Sequence, residues 1–263
     1  MIRKLLAPLV LALGLPLPAS AEMPMAEIAV RPGWRTASGD HIAALHITLG
    51  DGWKTYWRAP GDAGIPPVFD WSGSANAGDV MVVWPTPDVF YQAGMRSVGY
   101  KHEVVLPLVI DAETKGDITL SGQMLLGICK DICMPYEARV TATLPAAVTR
   151  PDPVIAAAMS EVPFTRNEAG VRGMECQIAP TPDGVQIKVA IDLPKTGGRE
   201  ETVIETSNPM LWVDEPATER RGRTLFTEAL IAHADGKPFA LDRSGIRVTV
   251  LGKSFAVDVQ GCD

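Results

Sequence analysis

The sequence predicts an all-β protein folded as two small β-sandwiches in series. Three observations point there. Short runs rich in β-branched residues recur along the chain, separated by Gly, Pro and Asp. Their spacing suits a sandwich of short strands. Only one segment carries the start signals of a helix, and strand-like runs lie on both sides of it.

The first 21 residues stand apart. Arg3 and Lys4 precede an apolar stretch from Leu5 to Leu17 and a small-residue site at Ala19-Ser20-Ala21. That is the three-part pattern of a secretory signal peptide. The stretch is too short and too Pro-broken to make a good membrane span, and no later apolar run approaches that length. The mature chain is therefore expected to start at Glu22, to be exported, and to have no membrane span of its own. The net charge of −7, from 24 basic and 31 acidic residues, becomes more negative once Arg3 and Lys4 leave. This balance argues against nucleic acid and anionic membrane surfaces as partners.

The elements follow in order. Strand-like runs occupy 41–49 (HIAALHITL), 80–84, 103–110, 117–126 and 137–144. Asp51-Gly52 reads as a hairpin turn between two such runs. Pro66-Pro67 and Pro85-Thr86-Pro87 break the pattern and mark loops or edges. At the break near 149–165, Asp152 offers an N-cap and Pro153 the first helical position, so one short linking helix is expected. Strands resume at 184–193, 223–232 and 245–260, the last with a two-residue turn at Gly252-Lys253. The expected organisation is a signal peptide at 1–21, a first sandwich at 22–148, a linker at 149–165 and a second sandwich at 166–263. Hydrophobic residues make up 46% of the chain, enough for cores that do not depend on dense disulfides.

Four cysteines are an even set, and in an exported protein they fit two bridges. Cys176 lies in the first strand-like run of the second half and Cys262 follows the last. A bridge between them would close a loop of 86 residues. Chain entropy makes that worth about 4–5 kcal/mol, and the expected role is structural. Cys129 and Cys133, in GICKDICMP, flank the three-residue loop Lys130-Asp131-Ile132. They should face each other across two antiparallel strands with Cα atoms about 5–6 Å apart. A bridge there closes almost no loop and returns little stability by the entropy route. Gly127 allows a flexible approach and Pro135 stops further pairing at that edge. Lys130 would favour a thiolate and Asp131 oppose it. Three readings stay open on the residues alone: a staple; a soft-metal site in which Met134 or a histidine, His102 foremost, joins the thiolates on Cu(I); or reversible thiol–disulfide exchange.

Four stretches in order carry a family resemblance: GWKTYWRAPGDAGIPPVFDW from Gly52, VVWPTPDVF from Val82, VGYKHEVVLPLVI from Val98 and GICKDICMPYEA from Gly127. Together they resemble the N-terminal periplasmic domain of DsbD-type thiol:disulfide interchange proteins, in its ScsB-like variety, over most of 22–144. The resemblance implies an immunoglobulin-like sandwich with the cysteine pair at one end and no bound cofactor. It implies a protein-disulfide reductase component in the periplasm, which takes electrons from a membrane-embedded thiol reductase and passes them to thioredoxin-like proteins. Cys133 would form the mixed disulfides and Cys129 would be its partner. Residues 88–98 would be a cap, with Phe90, Tyr91 or Met95 as the covering side chain, and Tyr56 would lie near the cysteines. Three departures accompany the match. The cysteine spacing is narrower than in the family's best-studied form. The cap stretch YQAGM is neutral where the family has an acidic pair. The chain also lacks a transmembrane conduit and a thioredoxin-like end domain.

Other chemistry is sparse. His41, His46, His102 and His233 are scattered and read as surface or half-buried residues. Trp53, Trp57, Trp71 and Trp84 read as packing. No phosphate-cradling loop, Ser/His/Asp set or paired-carboxylate site stands out. The alternatives to exchange are a Cu(I)-binding, copper-tolerance protein and a non-catalytic interaction module with inert disulfides.

Overall fold

The computed structural model describes residues 25–61, 64–92 and 94–262. The signal-peptide segment 1–21 and the expected mature start at Glu22 lie outside the described residues. The described chain is all-β apart from one short helix, as predicted, and its strands form four sheets.

The first sheet runs in the order β1 (Ala26–Arg35), β2 (His41–Leu49), β8 (Glu103–Ile110), β5 (Val80–Val82). The second runs β10 (Cys133–Leu144), β9 (Ile118–Cys129), β3 (Lys54–Tyr56), β7 (Met95–Lys101), β6 (Asp88–Gln92), with β4 (Val68–Asp70) also on β9. Between them lies a core of Leu45, Ile47, Leu106, Leu108, Ile118, Leu120, Leu126 and Ile128. These residues fall at alternate positions because successive side chains of a strand point to opposite faces. Strand β2 is buried on both sides. Ala43, Leu45 and Ile47 face the sandwich, while Ile42 and Ala44 pack on Ile155 of helix α1 (Pro153–Ser160). That second burial explains why its sequence shows no clean polar alternation.

Asp51-Gly52 corrects one expectation. Strands β2 and β3 belong to different sheets, so the turn there, closed by Trp53 N–H on the Gly50 carbonyl at 2.9 Å, carries the chain across the sandwich and makes no hairpin. Helix α1 begins as expected. Asp152 accepts hydrogen bonds from Val154 and Ile155 N–H and pairs with Arg31 at 2.8 Å. Burial pushes its carboxyl pKa up, but the hydrogen bonds from Arg31, Val154 and Ile155 outweigh this and hold it below the usual carboxylate range. A depressed folded-state pKa adds stability that is present at neutral pH and lost as pH falls through that pKa. Asp152→Ala is expected to cost about 1 kcal/mol of unfolding free energy at pH 7, with the gap to wild type closing in acid. Denaturant unfolding at the two pH values measures it.

The remaining sheets use residues after the helix. One runs β11 (Phe164–Thr165), β19 (Ala256–Gln260), β18 (Arg247–Leu251), β14 (Glu201–Glu205). The other runs β12 (Gly173–Thr181), β13 (Gly184–Asp192), β17 (Thr224–His233), β15 (Leu211–Val213), with β16 (Ala217–Arg221) also on β17. Their core gathers Met174, Ile187, Val189, Ile191, Val248, Val250 and Val257. Leu251 pairs with Ala256, so the β18–β19 loop holds four residues, where two were expected at Gly252-Lys253. The two halves touch through Val203, Leu251 and Ala256, which join the first core. They also meet through Arg58, whose guanidinium lies 3.8 Å from the Trp57 ring centroid and makes two 2.9 Å bonds to Glu205. Among the described residues no helix is long and apolar enough to cross a membrane.

Candidate redox site

The site sits where β9 turns into β10. Cys129 and Cys133 are direct cross-strand partners joined by a disulfide, with Cα atoms 4.1 Å apart, closer than the separation expected from the sequence. Inward-facing residues of β9 fall at even positions, Ile118 to Ile128. Cys129, at an odd position, therefore lies on the outer face of the second sheet, away from the sandwich core. Strand pairing extends that face sideways. Cys129 stands opposite Lys54 of β3, and Lys54 stands opposite Lys101 of β7.

The two sulfurs differ. Cys129 is 2% exposed, whereas Cys133 is exposed. The Tyr56 hydroxyl donates to Cys133 Sγ at 3.0 Å. Burial raises the pKa of that phenol, so it keeps its proton at neutral pH. Its ring occupies the space over Gly127: a Cβ there would come within 2.4 Å of the ring and 2.7 Å of Ile65. Gly127 thus makes room for Tyr56 instead of serving as a flexible approach. Pro135 lies on β10, the outermost strand of this sheet, where a missing N–H costs nothing.

The cap segment is a β-hairpin of β6 and β7, and its side chains divide between two faces. Phe90, Gln92 and Met95 share the cysteine face, by their pairing with Ser97 and with each other. Phe90 is 7% exposed, with the Lys54 and Lys101 ammonium groups 5.5 and 4.4 Å from its ring centroid. Met95 is 55% exposed at the tip. Tyr91 faces the other way and donates to Glu201 Oε1 of the second half at 3.0 Å. The side chain that joins the hairpin to the cysteine loop is Gln92. It donates to the Lys130 carbonyl at 2.8 Å and accepts from Lys54 Nζ at 2.8 Å. Sequence reasoning missed both Gln92 and Lys54. Lys54 lies two residues from Tyr56 and so on its face, but only the β3–β9 pairing brings that face to the cysteines.

The Cu(I) set does not converge here. Met134 follows Cys133 on the strand and points to the opposite face. His102 follows β7, and β3 lies between that strand and β9. Among the described residues no group of three or more His, Cys, Asp or Glu is placed to hold a metal. His41 departs from the expected exposure: it is fully buried, with Nε2 at 2.6 Å from the Pro32 carbonyl. Trp57 is fully buried, and Trp53, Trp71 and Trp84 pack against the first core, as expected. The second disulfide, Cys176–Cys262, joins β12 of one sheet to a residue two positions beyond the end of β19 in the other, with Cα atoms 5.6 Å apart.

The chain is similar to known proteins in family and fold. Residues 20–145 match the family described as "Thiol:disulfide interchange protein DsbD, N-terminal". The chain is also similar to a solved structure, the N-terminal periplasmic domain of ScsB from Proteus mirabilis, at 21% identity and a TM-score of 0.69. That match covers 94% of this chain and 95% of the other, and it shows a shared fold. A search of curated proteins found no match.

Proposed function

Because its first half belongs to the DsbD N-terminal-like family, we propose that this chain is a periplasmic thiol–disulfide exchange protein that works through a reversible Cys129–Cys133 disulfide. The asymmetry of the pair carries the reading. A thiolate must approach along the S–S axis, and Cys133 is the exposed residue of the pair whereas Cys129 is 2% exposed. A dithiol partner's thiolate attacks Cys133 Sγ, the S–S bond breaks, and Cys129 leaves as a thiolate. The partner's second thiol then attacks its own sulfur in the mixed disulfide and releases Cys133. The partner ends as a disulfide, and its two electrons and two protons end on the cysteine pair. The same steps run in reverse on an acceptor disulfide. Tyr56 donates to whichever charge develops on Cys133.

On this reading residues 1–21 are a cleaved leader, 22–148 the exchange domain, 149–165 a linker and 166–263 a second domain whose Cys176–Cys262 bridge is structural. A membrane-embedded thiol reductase supplies the electrons and thioredoxin-like proteins receive them. The test is a redox titration of each cysteine in graded thiol/disulfide buffers, read by alkylation and mass spectrometry. Cys129–Cys133 is expected between about −120 and −270 mV, with Cys176–Cys262 still oxidised below about −300 mV. If both pairs resist reduction together, the exchange reading fails.

A further inference from the structure

Four residues lie side by side across four strands on one face of the sheet: Cys133, Cys129, Lys54 and Lys101. Lys54 is only 7% exposed. Its ammonium is held by Gln92 Oε1 at 2.8 Å, Ser97 Oγ at 3.5 Å and the face of Phe90, and no carboxylate of the described residues pairs with it. A buried cation without an anion is costly, and such groups are kept neutral or paired. Its sulfur neighbour is neutral only while the disulfide is closed. When Cys133 is attacked, Cys129 leaves as a thiolate in a place that water scarcely reaches. Directly opposed side chains have Cβ atoms about 5 Å apart, so the new anion forms on the residue directly across from the one that carries the ammonium.

We infer that Lys54 is the electrostatic partner of the Cys129 thiolate, a buried cation that the oxidised protein leaves without a counter-ion and the reduced protein neutralises. The inference deepens the exchange reading and rests on it. Desolvation, followed by repulsion from Lys101, lowers the Lys54 pKa in the disulfide form, which fits a cation lacking its anion. The other charged groups around Cys129 are less enclosed. Lys101, Lys130 and Asp131 are exposed, so solvent screens them. Tyr56 is protonated and points at Cys133. Gln92 and Ser97 are neutral. Among these, Lys54 alone combines a fixed charge, burial and the position opposite Cys129.

The test uses the mature full chain, reduced, with 13Cβ-labelled cysteine. Cys129 in Lys54→Met is expected to ionise at a pH at least one unit above wild type, a tenfold loss in its ionisation constant. Reduction of the disulfide by dithiothreitol should slow, because a more basic thiolate leaves less readily. Lys54→Arg should restore both. An unchanged Cys129 ionisation constant in Lys54→Met overturns the inference. Should that variant fail to fold, the wild-type protein decides by reciprocity. The Lys54 ammonium, followed by 15Nζ resonance, should titrate higher once the disulfide is reduced, and equal values in the two states overturn the inference. The two levels separate cleanly. A pair that never titrates in the exchange range sinks the proposed function, whereas a pair that exchanges normally but ignores Lys54 sinks only this step.

Discussion

Cys133→Ser is expected to reduce electron relay to the background of direct exchange between partners, while Cys129→Ser is expected to accumulate one mixed disulfide per chain. The difference follows from burial. On the proposed mechanism the exposed Cys133 thiolate of the reduced protein attacks an acceptor disulfide, and Cys129, 2% exposed, does not. Without Cys129 nothing on this chain attacks the mixed disulfide, so the adduct persists. Non-reducing electrophoresis with a thioredoxin-like acceptor separates the cases. Adducts formed by Cys133→Ser, or continued relay by it, would show that the roles are assigned to the wrong sulfurs.

Arg58→Ala is expected to cost about 3–5 kcal/mol of unfolding free energy, the range for removing one partner of a buried ion pair. Arg58 bonds Glu205 through two nitrogens at 2.9 Å and reaches Asp258 at 3.4 Å. All three side chains are less than 20% exposed. Deleting the guanidinium leaves Glu205 without its forked partner at the contact between the halves. Arg247 still bonds Asp258, so that carboxylate stays neutralised. Arg58→Lys keeps the charge but loses the fork and the stacking on Trp57, and should fall between. Urea unfolding of the three proteins measures it. A loss under about 1 kcal/mol would mean that this cluster behaves like solvent-exposed pairs.

The contact also bears on the hairpin. Arg96, 3% exposed on β7, donates to the Thr202 carbonyl at 2.9 Å, while Tyr91 on β6 donates to Glu201. Both strands of the hairpin are thus fastened to the second half on the face opposite the cysteines. The family resemblance offered Tyr91 as a covering side chain for the disulfide; the structure gives it to the contact between the two halves of the chain instead. Nothing local distinguishes Tyr91 from Phe90, since one residue of register decides which face each takes.

What the sequence determined by itself was local. Runs rich in β-branched residues, bounded by Gly, Pro and Asp, placed β2 and β8 to the residue and β9 and β13 within a few residues of their ends. Asp152 and Pro153 started the helix, because a cap is a matter of adjacent backbone N–H groups. A three-residue loop between two strand-like runs set Cys129 opposite Cys133. The tertiary structure decided everything that needed a distant strand: that Asp51-Gly52 crosses between sheets, that β3 lies between β9 and β7, that His41 is fully buried, and that Gln92 and Lys54 gather around the disulfide. Side-chain alternation and turn chemistry act within a few residues and can be read along the chain. Pairing between distant segments, such as Lys54 with Lys101 and with Cys129, depends on which faces bury together, and a lysine two residues before Tyr56 joins the candidate redox site only when that pairing is made.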